Sequence, residues 1–301
     1  MLDHDLVLDL EKAASLLRNG GVVAFPTETV YGLGANALDA AAVERIFAIK
    51  ERPRSSPLIV HVATIAMAQT VVADWPAIAQ TLADRFWPGP LTLVLPKRPD
   101  VPGIVTAGLA SVGVRMPAHP MALELIERAG VPLAAPSANR FTQVSPTAAE
   151  HVRRMLGDRV DMVLDGGPSK VGIESTVVSL TGPEPMVLRP GMITIAALEA
   201  ATGIPWTALS GEVTSSQSPG LHPRHYSPRT PFLVLPHGAE RPEGRGCLLE
   251  MPGEPGAFAE MLYSRLHAAD AAGWDWIAIE EPPDTPEWTG IHDRLKRASS
   301  P

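Results

Sequence analysis

Cysteine is almost absent from the sequence, and its scarcity excludes several kinds of protein. Cys247 is the single cysteine among 301 residues. One cysteine can form no internal disulfide bond and cannot build a zinc site from several thiolates. A reducing compartment is consistent with this composition, and we therefore expect a cytoplasmic protein.

The sequence also lacks the hydrophobic segments of a secreted or membrane protein. The amino-terminal stretch MLDHDLVLDLEKAASLL carries acidic residues early and has no basic flank before a long apolar run. It therefore does not predict a signal peptide. No apolar run reaches the roughly 18 residues that span a bilayer, so we expect no association with a membrane.

Positive charge is in short supply as well. The formal net charge is −8, whereas proteins that bind a phosphate backbone usually show a basic excess or a basic stripe. Stable binding of nucleic acid is therefore not expected, although a local basic pocket for one small anion remains compatible with the sequence. The 45% of hydrophobic and 19% of charged residues are typical of a globular protein with a substantial core.

The order of predicted elements indicates the fold class. Residues 6–17 show helical spacing of apolar side chains and precede a buried strand at 22–25. Residues 40–50 form a second predicted helix, with Asp39 as its N-cap. Strands predicted near residues 162–188 lie so close together that part of the sheet must be antiparallel. We predict an α/β fold with a twisted sheet of parallel and antiparallel strands.

A change in composition divides the chain. The segment SGEVTSSQSPGLHPRHYSPRTP is rich in serine, proline and glycine, as linkers are. We predict a first domain over 1–203, a linker over 204–230 and a small C-terminal α/β domain over 231–301.

Cations and a hydroxyl follow the helix predicted over 40–50. Lys50 and Arg52 lie in KERPRSSPL, and Ser56 follows them. An ordinary solvated helix end explains the cations, because positive charge suits the helix C-terminus. Alternatively, the lysine point charge and the planar arginine fork could clamp phosphate oxygens, with the serine as a further donor. These residues alone leave both interpretations open.

Polar residues also follow other predicted strands. PTETVYGLG, after the first strand, lacks GxGxxG and GK[ST], so a tight turn is the simpler interpretation. Ser137 and Asn139 in APSAN point to the same side of an extended chain, although a serine or Asx turn is equally compatible. Arg115 and Arg189 each end a predicted strand. With the cations of KERPRSSPL, these arginines suggest a converging anion site.

Together and in this order, the motifs resemble those of the YrdC-type threonylcarbamoyl-AMP synthases in their long form with a C-terminal extension. The resemblance covers residues 8–230 and resumes weakly in LYSRLHAADAAG and GIHDRLKRA. It implies a concave YrdC-like catalytic domain, closed by the linker, and a small Rossmann-like C-terminal domain. The C-terminal region is shorter than this resemblance leads us to expect.

The resemblance also implies which residues bind ligands. The family's Lys-x-Arg and Ser-x-Asn signature falls on Lys50, Arg52, Ser137 and Asn139, of which the first two are the expected catalytic pair. ATP or its adenylate is expected at Arg52, Ser56, Ser111, Asn139, Ser145, Arg189 and the linker residue Tyr226. L-threonine is expected at Thr29, His61, Arg115, Ser137 and Ser175.

The reaction implied by the resemblance is adenylyl transfer. The threonine amine captures bicarbonate or CO2, and the resulting carbamate attacks the α-phosphorus of ATP so that pyrophosphate leaves. Mg²⁺ is expected with ATP rather than in a protein metal site. A downstream tRNA-modifying transferase complex would use the product for threonylcarbamoyladenosine.

Three alternatives have distinguishing features. An O-carbamoyltransferase of the hydrogenase-maturation type carries zinc-finger cysteines, which this chain lacks. An RNA-binding module is disfavoured by the acidic charge and the absence of aromatic-rich platforms. A nucleotide-binding regulator would show no threonine-dependent pyrophosphate release.

Overall fold

The protein was analysed as a computed structural model that describes residues 4–209 and 225–300. The middle of the predicted linker, residues 210–224, lies outside this range. The described α-helices are α1 His4–Arg18, α2 Ala40–Lys50, α3 Ile65–Gln69, α4 Ala77–Phe86, α5 Pro120–Ala129, α6 Ala149–Leu156, α7 Ile195–Thr202, α8 Pro255–Ala271 and α9 Thr289–Ala298. Short 3-10 turns occupy Gly157–Arg159 and Pro286–Trp288.

The strands form two sheets. In chain order they are β1 Val23–Phe25, β2 Gly32–Asn36, β3 Ile59–His61, β4 Leu91–Pro96, β5 Ser111–Arg115, β6 Leu133–Ala134, β7 Met162–Val163, β8 Thr176–Ser179, β9 Met186–Arg189, β10 Thr207–Ala208, β11 Phe232–Leu235, β12 Gly246–Leu249 and β13 Trp276–Glu280. The large sheet has the order β10-β9-β8-β4-β5-β3-β6-β2-β1-β7, and the small sheet has the order β11-β13-β12.

Strand directions confirm the predicted mixed sheet. In the large sheet, β3 runs parallel to β5 and β4 runs parallel to β8, whereas β4–β5 and β8–β9 are antiparallel. The small sheet is parallel throughout, with β13 between its two neighbours. The α/β prediction for both parts of the chain is therefore correct.

Local sequence explains where the helices begin and end. The carboxylate of Asp39 accepts hydrogen bonds from the amides of Ala41 and Ala42, so it caps α2 as predicted. Helix α5 has Pro120 at its start and ends at Gly130, which has a φ of 66°. Among the described residues, no helix has both the length and the apolar character needed to cross a membrane.

Apolar layers cover the large sheet. Helices α2 and α4 pack on one face through residues such as Ile46 and Leu82, whereas α1 and α5 pack through Leu10, Leu17 and Ile126 in a separate cluster. Burial of these side chains stabilises the fold by about 25 cal/mol per Å² of apolar surface. The layers leave one end of the strands available for polar residues.

A third apolar cluster joins the C-terminal elements to the large sheet. Its members come from α8, α9 and the small sheet, and they pack against Val30, Val144 and Ile173 from the N-terminal part of the chain. Tyr226 belongs to the same cluster. The two parts therefore share a core, and this core lies beside the functional cleft.

Two strands lie where the sequence indicated something else. Residues of the GLG segment form β2, which pairs with β1 and β6, although the sequence favoured a tight turn. Strand β10 pairs with β9 and extends the large sheet past residue 203, where the linker was predicted to begin. The GLG segment has no alternating or β-branched pattern, and β10 is only two residues long.

Candidate active site

Several strand ends meet at one edge of the large sheet. His61 and Arg115 end the parallel strands β3 and β5 and lie directly opposite each other in the register. Ser175 precedes β8, and Arg189 ends the antiparallel neighbour β9. Parallel strands place their carboxyl ends at the same edge, and β8, which runs in the opposite direction to β5, begins at that edge, so these side chains converge.

These residues surround a cleft at this edge of the sheet. Its polar lining residues are Thr27, Thr29, Arg52, His61, Arg115, Ser137, Glu174, Ser175, Arg189, His225 and Tyr226. The structure therefore brings together all five residues predicted for threonine, and three of the seven predicted for ATP.

A buried ion pair includes one of the cleft arginines. The guanidinium of Arg115 lies 2.6 Å from a carboxylate oxygen of Glu28 and also donates to the carbonyl of Gly89 at 3.2 Å. The other carboxylate oxygen of Glu28 accepts from the amide of Ala118 at 3.0 Å. Burial, together with the positive charge of Arg115, lowers the pKa of His61 to about 3, so this imidazole is neutral.

Several hydroxyl groups also line the cleft. The hydroxyls of Thr27 and Thr29 are 2.9 Å apart, and that of Thr27 donates to the carbonyl of Val30 at 2.6 Å. Ser175 Oγ lies 2.8 Å from Thr92 Oγ1 and accepts from Arg189 at 3.1 Å. These fixed hydroxyls can discriminate a polar ligand from an apolar one of similar size, because an unmatched buried hydroxyl is costly.

Two further arginines line the cleft and use backbone carbonyls as anchors. Arg52 donates to the carbonyl of Pro57 at 3.1 Å, and Arg189 donates to that of Ser175 at 2.9 Å. Burial lowers the pKa of Arg52 to about 10, and burial also lowers the pKa of Arg189. Both groups remain cationic at neutral pH and suit an anionic ligand.

Lys50 lies beneath the cleft rather than along it. Its ammonium donates to the backbone carbonyls of Ser137 and Asn139, and it lies 3.3 Å from the Asn139 side-chain oxygen. Burial, followed by the charge of Arg52, holds the Lys50 pKa well below its usual range. In this arrangement the ammonium organises the Ser-x-Asn loop, and its direct contact with a phosphate stays a prediction.

The four remaining residues predicted to bind ATP do not line the cleft. The amide of Asn139 donates to the carbonyls of Arg140 and Gln143, and Ser145 donates to Glu174 at 2.6 Å. Ser111 begins the strand that Arg115 ends, so about 13 Å separate their backbones. These positions, together with the buried Ser56, stay predicted ligand contacts.

Tyr226 closes one side of the cleft with an unusual backbone conformation. Its φ is 62°, in the left-handed region that disfavours bulky side chains, and the side chain is 1% exposed. Within the described residues, its hydroxyl and the Nδ1 atom of His225 have no hydrogen-bond partner. Buried polar groups in this state are suited to a ligand or ordered water.

Four polar residues of this region were not assigned a ligand role from the sequence. Glu28 and Glu174 lie within the recognised motifs but were not predicted as members of the site. His225 had only its position next to Tyr226 as a signal. No sequence signal pointed to a role for Arg294 in the site, because a lone arginine on an amphipathic helix normally indicates a solvated face.

The described residues also bear on metal binding. They contain no group of three or more histidine, cysteine, aspartate or glutamate side chains placed to hold a metal ion. Cys247 is a free, half-buried cysteine.

The fold and the cleft define an α/β protein with a small-molecule site at the strand ends of a mixed sheet. Residues 15–191 match the family model of the Sua5, YciO and YrdC proteins, which is described as telomere recombination. Residues 193–300 match a model described as the C-terminal domain of threonylcarbamoyl-AMP synthase. The chain belongs to the Sua5/YciO/YrdC family, in its long form with this C-terminal domain.

Individual relatives agree with this membership. The threonylcarbamoyl-AMP synthase of Bacillus subtilis is 41% identical, across 96% of this chain and 92% of that protein. The synthase of Pyrococcus abyssi is 47% identical over 74% of this chain, a match that spans 66% of its own length. Crystallographic P. abyssi Sua5 in complex with L-threonine is 37% identical with a TM-score of 0.89, covering 96% of this chain and 94% of that one.

Proposed function

We propose that this protein is a threonylcarbamoyl-AMP synthase. It combines L-threonine, bicarbonate or CO2, and ATP, and it releases pyrophosphate. The observation that carries the proposal is the cleft itself, whose lining combines hydroxyl groups with the guanidinium groups of Arg52, Arg115 and Arg189. Relatives over nearly the whole chain carry this activity in their names, and P. abyssi Sua5 has been crystallised with L-threonine.

The threonine half of the site uses the residues around Arg115. Its guanidinium orients the threonine carboxylate, while Glu28 keeps the arginine in place. The neutral imidazole of His61 accepts a hydrogen bond from the threonine amine. Hydroxyls contact the threonine side chain, and they belong to Thr29, Ser137 and Ser175.

The nucleotide half uses cations and buried hydroxyls. Arg52 and Arg189 contact the phosphates, and Tyr226 packs against the nucleotide. The other proposed ATP residues are Ser56, Ser111, Asn139 and Ser145. Lys50 contributes by fixing the loop that carries Ser137 and Asn139, and its positive charge adds to the field on the phosphates.

The chemistry takes place in two steps. The threonine nitrogen attacks the carbon of CO2 or bicarbonate, and the product is a carbamate after loss of a proton or of water. A carbamate oxygen then forms a bond to the α-phosphorus of ATP, while the bond to the bridging oxygen of pyrophosphate breaks. The protein orients two anions and offsets their repulsion, and no covalent enzyme intermediate is needed.

Mg²⁺ enters as part of the MgATP substrate and neutralises charge on the departing pyrophosphate. In this scheme the protein is a nucleotidyltransferase, since adenylyl is the group transferred. Because the product is a reactive mixed anhydride, a tRNA-modifying transferase complex must consume it to make threonylcarbamoyladenosine. We place the reaction in the cytoplasm, where ATP and tRNA are found together.

The deciding experiment is pyrophosphate release from MgATP and bicarbonate, with and without L-threonine. We expect release only with threonine, together with a new adenylate detected by mass spectrometry. L-valine is the matched control, because it replaces the hydroxyl with a methyl group. Release that does not depend on threonine, or none from folded protein, would reject the proposal and favour a nucleotide-binding regulator.

A further inference from the structure

Arg294 belongs to the last helix, α9, yet its guanidinium lies beside the cleft. The side chain is fully buried, and it has the largest volume of the fully buried side chains that the described residues contain. Its Nε donates to a carboxylate oxygen of Glu174 at 2.8 Å. A second guanidinium nitrogen donates to the backbone carbonyl of Glu174 at 3.0 Å. One arginine therefore fixes both the side chain and the backbone of this cleft residue.

Close backbone contacts bring the C-terminal helices to this position. A Cβ atom added to Gly290 of α9 would lie 2.7 Å from the carbonyl oxygen of Gly191. A Cβ atom added to Gly172 would lie 2.2 Å from the carbonyl oxygen of Ala259 in α8. Both distances are shorter than real Cβ contacts allow, so glycine is required for this approach. Glu174 lies two residues after Gly172 and is enclosed by both helices.

The carboxylate of Glu174 links Arg294 by hydrogen bonds to residues on the nucleotide side. One oxygen accepts from the hydroxyl of Ser145 at 2.6 Å, and the other accepts from the hydroxyl of Tyr263 at 3.1 Å as well as from Arg294. The guanidinium carbon of Arg294 also lies 5.4 Å from the centre of the Tyr226 ring, within the range of a cation–π contact. Arg294 thus supports two groups that we assign to ATP.

The threonine side is supported by other residues. The hydroxyl of Thr92 lies 2.8 Å from that of Ser175, and Glu28 holds Arg115. These contacts form without Arg294. Disturbing Arg294 therefore affects the two halves of the site unequally.

We propose that Arg294 is a positioning residue for the nucleotide half of the cleft, through which the C-terminal domain takes part in substrate binding. This inference rests on the proposed function, since it assigns ATP to the side of Ser145 and Tyr226. The planar fork of arginine matches the carboxylate and the carbonyl of Glu174 at the same time. A lysine at this position has no planar fork to reproduce both bonds together with the ring contact.

The experiment compares Arg294→Lys and Tyr263→Phe with the wild-type protein. Calorimetry would measure the affinity for a non-hydrolysable MgATP analogue and, separately, for L-threonine. We expect Arg294→Lys to weaken binding of the analogue on the order of 10- to 100-fold, because displacing binding groups by about an ångström has effects of this size. We expect threonine affinity to change less than about 3-fold. Tyr263→Phe removes one hydroxyl and keeps the ring, so it should weaken binding of the analogue by a smaller factor.

Arg245→Ala is the matched control. Arg245 is an exposed arginine of the C-terminal domain that donates to the carbonyl of Gly273 at 2.7 Å and lies 5.8 Å from the centre of the Trp274 ring. It makes the same kinds of contact away from the cleft, and both affinities should stay unchanged. Thermal unfolding of each variant establishes the folded fraction, to which the affinities are normalised.

The outcomes separate this inference from the proposed function. Unchanged analogue affinity in folded Arg294→Lys and Tyr263→Phe, or an equal loss for both ligands, would overturn the positioning role. If Arg294→Lys does not fold, Tyr263→Phe decides the question alone. If wild-type protein binds the analogue but forms no adenylate with threonine, the synthase proposal fails, whereas the affinity comparison still tests Arg294.

Discussion

The Arg115 guanidinium and the Glu28 carboxylate lie 2.6 Å apart, and their side chains are only 4% and 10% exposed. Such a pair keeps a buried arginine in position for a ligand carboxylate while it compensates its charge. Glu28 also accepts the amide of Ala118, so the carboxylate itself has little freedom. This part of the cleft is therefore held in place by the protein's own side chains and backbone.

Removal of the Glu28 charge should destabilise the protein. In Glu28→Gln the guanidinium of Arg115 stays buried without its counter-charge, and breaking a buried pair in this way costs about 3–5 kcal/mol. We expect a loss of about 3 kcal/mol in the free energy of unfolding, measured with urea. Glu44→Gln is the control, because its pair with Arg54 is exposed and should contribute less than about 1 kcal/mol. Equal effects in the two variants would contradict the prediction.

Lys50 and Arg52 should respond differently to substitution. Lys50→Met leaves the backbone carbonyl oxygens of Ser137 and Asn139 without their lysine donor, so we expect stability to fall by about 1–3 kcal/mol along with turnover. Arg52→Gln loses one hydrogen bond, to the carbonyl of Pro57. It should reduce turnover, while the free energy of unfolding should fall by at most about 1 kcal/mol. Urea unfolding and threonine-dependent pyrophosphate release measure the two effects. Native stability in Lys50→Met would show that its bonds to the Ser-x-Asn loop contribute nothing.

Stability should depend on pH through a pair of stacked histidines. The rings of His151 and His267 lie 4.0 Å apart. Burial, and then the neighbouring His151, lowers the pKa of His267 from 6.5 to about 3, while burial lowers that of His151 to about 4. The pKa of each histidine is lower in the folded protein than in the unfolded chain. The free energy of unfolding therefore has its full value, as far as these two rings affect it, above pH 6.5, and it decreases as the pH falls towards 3.

His267→Gln tests this pH dependence. The glutamine amide can still donate to the carbonyl of Ser145, which His267 contacts at 3.0 Å. We expect the slope of unfolding free energy between pH 4.5 and 6 to decrease by up to about 1.4 kcal/mol per pH unit. His237→Gln, at a side chain that is 90% exposed, is the control. An unchanged slope in His267→Gln would contradict this assignment.

A single added methyl group should disturb the contact between α8 and the cleft. Gly172 has a φ of 80°, and an alanine Cβ there would lie 2.2 Å from the carbonyl oxygen of Ala259. We expect Gly172→Ala to lower the free energy of unfolding by at least about 2 kcal/mol, because the cost of a left-handed backbone at alanine adds to the cost of the steric overlap. Gly182→Ala is the control, with its nearest atom at 3.6 Å. Similar denaturation midpoints for the two variants would refute the close approach.

Much of the fold follows from local sequence signals. The helices α5 and α9 have clear periodicity, and Asp39 and Gly130 act as ordinary caps. Strand β2 was not predicted, because its GLGAN sequence has no branched or alternating side chains and its pairing with β1 and β6 is set by tertiary contacts. Strand β10 has only two residues and equally little local signal.

The site was predicted mainly through ordered motifs rather than through single residues. Strand ends such as Arg115 could be placed on the cleft from sequence, because strand polarity brings them to one edge. The partners Glu28 and Arg294 could not, since burial and long-range pairing decide their roles. Lys50 shows the same limit, because the sequence gives its charge but not the carbonyl groups that its ammonium contacts.

The apolar cluster shared by the two parts of the chain has a consequence for producing the protein in pieces. Val30, Val144 and Ile173 are covered by α8, α9 and the small sheet. A fragment that ended after β9 would present these side chains to water beside an unsupported Glu174. Such exposed patches promote self-association, so the fragment should accumulate as aggregates unless its surface is redesigned.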